Sequence, residues 1–234
     1  MVVSANTNET LTRTDSLHKN RVYFATYTSI NDLIHTKLDL KFNWDSAFVI
    51  GKAQLKFKPY FYPTDSLTLS AKGFKINEIA LMTATGKQQL KYDYDGKSIR
   101  IKLDKTYTRN DEYTIAVDYV AMPNKIVVKG SEAITQDKGL YFINNDGKDP
   151  EKPKQIWTQG ETEANSCWFP TIDGPQEKHT QEITLTVNKK YVTLSNGLIT
   201  ASKDNGDGTR TDTWKQDKMH STYLTMIAVG DFAV

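Results

Sequence analysis

"KLDLKFNW", residues 37–44, alternates without a break: Lys37, Asp39, Lys41 and Asn43 are polar, while Leu38, Leu40, Phe42 and Trp44 are apolar. Successive side chains of a strand point to opposite faces, so this period places all four apolar groups on one face and the polar ones on the other. Outward from it the pattern repeats. "GKAQLKFKP" sets Ala53, Leu55 and Phe57 against lysines, and "KSIRIKLD" does the same with Ile99, Ile101 and Leu103. "EYTIAVDYV" presents Ile115 and Val117, and "QEITLTVNK" presents Ile183, Leu185 and Val187. Leu38, Leu40, Phe42, Leu55, Phe57, Ile99, Ile101, Leu103, Ile115, Val117, Ile183, Leu185 and Phe169 are the predicted core.

Turn signals separate the runs. Asp95-Gly96 in "DYDGKS" reads as a tight hairpin turn, where glycine supplies positive φ. "NNDGKDPEKP" and "KDNGDGTRT" read as longer hairpin loops. Gly206 stands where a calcium loop would need a ligand, so "DNGDG" is read as a plain turn. No repeat and no amphipathic helix is visible. Many short strands without intervening helices predict an all-β fold, an antiparallel saddle-like β-sandwich of mixed-length strands. "KPYFYPTDS" is an aromatic knot at a strand end, read as a capped sheet edge with Pro59 and Pro63 blocking further pairing.

Composition narrows the function classes. The 234 residues carry 30 basic and 28 acidic side chains, a formal net charge of +2. That balance does not predict a nucleic-acid partner, which asks for clustered Lys and Arg. The one cysteine, Cys167, has no adjacent base and reads as an inert thiol. No apolar run approaches the ~20 residues of a transmembrane helix. The start, "MVVSANTNETLTRTDS", lacks a basic n-region and an apolar h-region, so no signal peptide is read there. Residues 1–20 are expected to be a disordered lead, with a formal sequon at Asn8-Glu9-Thr10. Export and a cytoplasmic location both stay open. The histidines His18, His35, His179 and His220 form no His-Glu-x-x-His motif. His179 and His220 are read as solvated or singly hydrogen-bonded, and no metal ligand or catalytic residue is assigned.

One stretch breaks the alternation: "IWTQGETEANSCWFPTIDGP", residues 156–175. "TQGETE", "WFPTIDGPQEKHTQEITLTV", "LSNG" and "HSTYLTMIAVGDF" follow one another in an order that resembles the N-terminal domain of the M1 zinc aminopeptidases, with "GLYF" at 139–142 upstream. The resemblance covers roughly residues 35–234. Departures from the family pattern fall at Ser166-Cys167, Thr171, Gly174 and His220.

The resemblance implies that residues 21–234 form the N-terminal β domain of an M1-type aminopeptidase. The family's Gly-x-Met-Glu-Asn motif and zinc helix, which belong downstream, are not in this sequence. Zinc is therefore expected outside this fragment, in a catalytic domain in cis, with peptides as substrates and the fragment alone inactive. Carried over, Glu161 binds the substrate's α-ammonium and Gln159 lines the first side-chain pocket. In extended backbone, positions i and i+2 face one way, so both would face one cleft. Gly160 would let the backbone approach the substrate. Trp168-Phe169-Pro170 would anchor the loop, and Asp173 would cap a turn before Pro175. A reading from another class is a non-catalytic carbohydrate- or protein-binding β-sandwich using Tyr60, Phe61 and Tyr62.

Overall fold

A computed structural model describes residues 28–126 and 137–232. The expected disordered lead over residues 1–20, and the sequon at Asn8, lie outside the described residues.

The founding alternation builds β1 (Asn31–Asn43), which pairs antiparallel with β2 (Phe48–Pro59). β2 continues to β8 (Tyr113–Ala121), β4 (Phe74–Thr83) and β5 (Gly86–Gln89). On its other side β1 pairs with β11 (Lys178–Asn188), followed by β14 (Thr209–Ser221) and β13 (Leu198–Asp204). This eight-stranded sheet is antiparallel except at β1–β11, which run parallel, with Leu38 opposite Ile183. Such a pair joins segments about 145 residues apart, and no hairpin can make it.

Two smaller sheets complete the fold. One has three strands, β3 (Thr64–Ser70), β7 (Ser98–Tyr107) and β6 (Tyr92–Tyr94). The other has four, in the order β12 (Val192–Ser195), β15 (Ile227–Gly230), β10 (Gln155–Thr158) and β9 (Leu140–Ile143). The described residues contain no α-helix; three short 3-10 turns occur, at Pro123–Lys125, Asn165–Cys167 and Thr222–Leu224. The turns read at Asp95-Gly96, in "NNDGKDPEKP" and in "KDNGDGTRT" all join antiparallel partners, β6–β7, β9–β10 and β13–β14.

One hydrophobic core draws on all three sheets: Leu38, Leu55 and Ile183 from the large one, Leu69 and Ile99 from the second, Ile156 and Val229 from the third. Of the predicted core residues, only Phe42 is half-buried; it packs edge-on against Phe142 at 6.3 Å, where β1 runs out of the core. The opposite face of the large sheet is polar, with a Lys37–Glu182 ion pair and hydroxyl contacts between Thr184 and Thr213 and between Thr186 and Thr211.

Beneath β12 lies buried Asp212. It accepts from Arg210 Nε (2.8 Å) and Nη2 (2.8 Å), from Thr193 Oγ1 (2.7 Å) and from Ser202 Oγ (2.6 Å). Burial pushes its pKa upward, but these donors outweigh burial and hold it below the usual carboxylate range. The hydrogen bonds tie β12 of the small sheet to β13 and β14 of the large one. Pro59 ends β2, an interior strand, so the knot that follows caps the end of a strand and not a sheet edge.

Candidate functional site

β10 is short, and what ends it builds the site. Thr158 Oγ1 accepts from Ile227 N (3.0 Å) and donates to Ile227 O (3.3 Å), taking over the ladder towards β15. On the β9 side Gln159 N donates to Gly139 O (2.9 Å). The chain then leaves the sheet at Gly160, whose carbonyl accepts from Ala164 N (3.0 Å). A β-carbon on Gly160 would stand 2.2 Å from the carbonyl oxygen of Tyr223 and 2.6 Å from Asn165 Nδ2. The glycine is thus required by the close approach of the 222–226 segment.

Asn165, which sequence reasoning passed over, locks the two segments together. It is fully buried. Its Nδ2 donates to Thr222 O (2.7 Å) and Thr225 O (3.0 Å), and its Oδ1 accepts from Trp168 Nε1 (2.8 Å). Trp168 and Phe169, both without exposed surface, sit edge-to-face at 4.5 Å and root this turn in the core, as expected. Asp173 does not cap a turn before Pro175. Its Oδ2 reaches back to accept from Ser166 N (2.8 Å), and burial raises its carboxyl to about 6.

Between the two segments lies an open cleft of about 430 Å³, lined by Thr158, Gln159, Gly160 and Glu161 on one side and by Tyr223, Leu224, Thr225 and Met226 on the other. Gln159 is half-buried and Glu161 exposed, and both line this cleft. Among the described residues the Glu161 carboxylate has no hydrogen-bond or ion-pair partner.

Under the far wall, Thr225 Oγ1 lies 3.1 Å from His179 Nε2, and His179 Nδ1 lies 2.7 Å from Thr36 Oγ1. His179 is neither solvated nor singly bonded: it is fully buried and held at both nitrogens. Burial lowers its pKa to about 3, assisted by His220, whose ring lies 5.0 Å away. A neutral imidazole offers one donor and one acceptor, and two threonine hydroxyls satisfy either tautomer. His179 shares the buried face of β11 with Ile183 and Leu185, and the β11–β14 register is irregular between His179 and Gln181.

The cleft presents a carboxylate and a carboxamide on one lip, with no cation opposite among the lining residues. That arrangement suits a small ligand bearing a positive charge, because a desolvated cation needs a fixed anion. Among the described residues no three His, Cys, Asp or Glu side chains gather as metal ligands. Cys167 is buried and its thiol is pushed up to about 12. At the other aromatic candidate, Phe61 and Tyr62 are 73% and 75% exposed.

The three-sheet architecture has close counterparts among solved structures. An M1 zinc metallopeptidase from Deinococcus radiodurans superposes with a TM-score of 0.72 at 16% identity, over 86% of this chain and 42% of that one. A two-domain M1 zinc metallopeptidase bound to L-arginine superposes at 0.73 and 16% identity, over 87% of this chain and 43% of that one. At these identities the likeness speaks for the fold.

In sequence, leucine aminopeptidase 2 of Vanderwaltozyma polyspora is 23% identical over 213 residues, 89% of this chain and 30% of that protein. The puromycin-sensitive aminopeptidase of Caenorhabditis elegans is 28% identical over 171 residues, 72% of this chain and 17% of that protein. Residues 32–224 match the Peptidase M1 N-terminal domain, and the chain belongs to that family. It spans less than half the length of each of these four relatives.

Proposed function

We propose that this domain forms one wall of the substrate site of a zinc aminopeptidase, with Glu161 binding the α-ammonium of the peptide and Gln159 lining the pocket for its first side chain. The observation that carries the reading is the unpartnered Glu161 carboxylate, set beside Gln159 on the lip of a cleft about 430 Å³ in volume. Gly160 and Asn165 hold that lip against the 222–226 segment.

Support also comes from the relatives. Two are named as aminopeptidases, and solved structures of the same fold were bound to L-arginine, to L-tryptophan and to a Tyr-Ser-Ala substrate. The zinc and the groups that activate water belong, in this reading, to a catalytic domain joined in cis. Residues 21–234 act as the N-terminal domain. The 234-residue chain alone is expected to show no peptidase activity and to retain no stoichiometric zinc after dialysis.

The test is steady-state kinetics of the full-length protein on amino-acid anilides. Breaking a desolvated, hydrogen-bonded charge pair costs about 2–5 kcal/mol, so Glu161→Ala should lower kcat/KM by roughly 30- to several-thousand-fold. Gln159→Ala should lose less, by an amount that varies with the first residue of the substrate. A change under about threefold at Glu161, with folding intact, would reduce the lip to scaffold.

A further inference from the structure

β3 is an edge strand of the three-stranded sheet, paired on one side with β7. Its other edge is covered at both ends and open between them. At one end Ser70 N donates to Thr171 O (2.7 Å) and Thr171 N donates to Ser70 O (3.1 Å), an isolated antiparallel bridge. At the other, Ser66 O accepts from Asn31 Nδ2 (3.1 Å) and Ser66 N donates to Thr64 Oγ1 (3.2 Å). The backbone groups of successive strand residues point to alternate sides. Ser70 spends its N–H and C=O away from β7, and the unbroken register from Ser66 to Ser70 turns Thr68 the same way. Lys102, opposite Ser66, agrees: its N–H goes to Lys91 O (3.0 Å), away from β3. Among the described residues, exposed Thr68 has no partner for its N–H or C=O on this edge.

A partner strand continuing from Thr171 would set residue 173 opposite Thr68. Instead the Asp173 carboxylate turns back to Ser166 N (2.8 Å), and a cleft of about 530 Å³ opens where that strand would lie. Ser66, Thr68, Ser70 and Ser98 line it from the sheet, so only small side chains stand over the backbone there. Glu163 and Asp173 line it from the facing side, and no Lys or Arg does. An unpaired N–H and C=O on an edge strand are a template on which an extended chain adds as a further strand.

We propose that this gap is a peptide-binding site, in which a short extended segment adds to β3, exchanges N–H and C=O hydrogen bonds with Thr68 and directs a basic side chain to Glu163 and Asp173. The closed ends set the length of the segment: from Ser66 to Ser70 a strand spans about 14 Å. The carboxylates set the preferred charge, since no cation in the lining answers them. The site goes beyond the substrate cleft. Glu163 lies two residues past Glu161, so the two clefts are neighbours along the chain, yet they share no lining residue.

The probe is the blocked peptide acetyl-Val-Lys-Val-amide. Added at millimolar concentration to the isotope-labelled 234-residue chain, it should shift the Thr68 amide resonance saturably in a heteronuclear NMR titration. The same peptide N-methylated at every residue offers Thr68 O no N–H and should bind about tenfold more weakly. Thr68→Pro removes the other half of the pair. Proline is tolerated on an edge strand where its missing N–H would face out, so this variant should fold as the parent does, by circular dichroism, and bind the probe about tenfold more weakly. Acetyl-Val-Glu-Val-amide should bind a few-fold more weakly than the lysine peptide, and Glu163→Gln should narrow that difference.

The proposal is overturned by the absence of a saturable shift at Thr68, by undiminished binding of the N-methylated peptide, or by undiminished binding to Thr68→Pro. A Thr68→Pro chain that fails to fold overturns it too, because the N–H would then belong to the sheet. Equal affinity for the lysine and glutamate peptides removes the basic side chain from it. A Thr68 shift that follows protein concentration without peptide assigns the edge to a second copy instead. The blocked probe carries no α-ammonium, so failure here leaves the Glu161 role standing, and failure of the Glu161 kinetics leaves this site.

Discussion

Replacing Asn165 with alanine should cost about 3 kcal/mol and loosen the cleft. The structure supplies the figure. The carboxamide makes three buried hydrogen bonds, to Thr222 O, Thr225 O and Trp168 Nε1. Thr222 O keeps a second donor, Thr225 N at 3.1 Å, so it is not orphaned. Thr225 O and the Trp168 indole N–H lose the bonds described here, and a buried polar group left unpaired costs about 1–3 kcal/mol. The two together come to about 2–6 kcal/mol, and water entry into the vacated space lowers the expected loss to about 3 kcal/mol.

The assay is urea denaturation of the 234-residue chain followed by circular dichroism. With a slope near 3 kcal/mol per molar urea, the midpoint should fall by about 1 M. Asn165→Asp is the companion variant: it keeps an oxygen for Trp168 but turns its other oxygen towards two carbonyls. It should be at least as damaging at neutral pH. A loss below about 1 kcal/mol for Asn165→Ala, or a harmless Asn165→Asp, would refute the claim that this amide clamps the two segments.

Other outcomes follow from particular contacts. Buried Glu177 accepts from Leu33 N (2.5 Å) through one oxygen, while its other oxygen is unpartnered among the described residues, and burial raises its pKa to about 7. The folded state then holds a proton that the unfolded chain releases near pH 4.5, so this group's contribution is complete below that pH and is lost as pH rises towards 7. Glu177→Gln should flatten that decline in a series of unfolding curves at pH 4.5–7. His179, lowered to about 3, acts oppositely: its contribution is present above pH 6.5 and is lost as pH falls through the acid range, so His179→Ala should flatten the acid limb of the same curves.

Among the described residues the buried Tyr119 hydroxyl has no hydrogen-bond partner, so Tyr119→Phe should leave thermal stability unchanged or raise it by about 1 kcal/mol. Gly160→Ala must displace the Tyr223 carbonyl or the Asn165 amide and should destabilise by roughly 1–3 kcal/mol, read by the same denaturation.

Much of the fold is legible along the chain because a strand writes its faces locally, at a period of two. Leu38, Leu55, Ile99 and Ile183 declare the core without reference to any partner, and Asp95-Gly96 declares its hairpin. The family could be read as well, since "TQGETE", "WFPTIDGP" and "HSTYLTMIAVGDF" keep their order, and Gln159 and Glu161 stood out as a break in that period. What alternation cannot encode is which strands become neighbours. The parallel join of β1 to β11 depends on closing a long intervening segment, and no local pattern reports it. The same limit hid Asn165, His179 and Glu177. Each looks like an ordinary polar residue, yet each is buried against groups tens to more than a hundred residues away: Thr222 and Thr225, Thr36, and Leu33. Residue types set how hydrophobic burial divides the strands into faces. The tertiary structure decided which polar groups are taken out of water together, because their hydrogen bonds, and the pKa values that follow, exist only once distant segments have met.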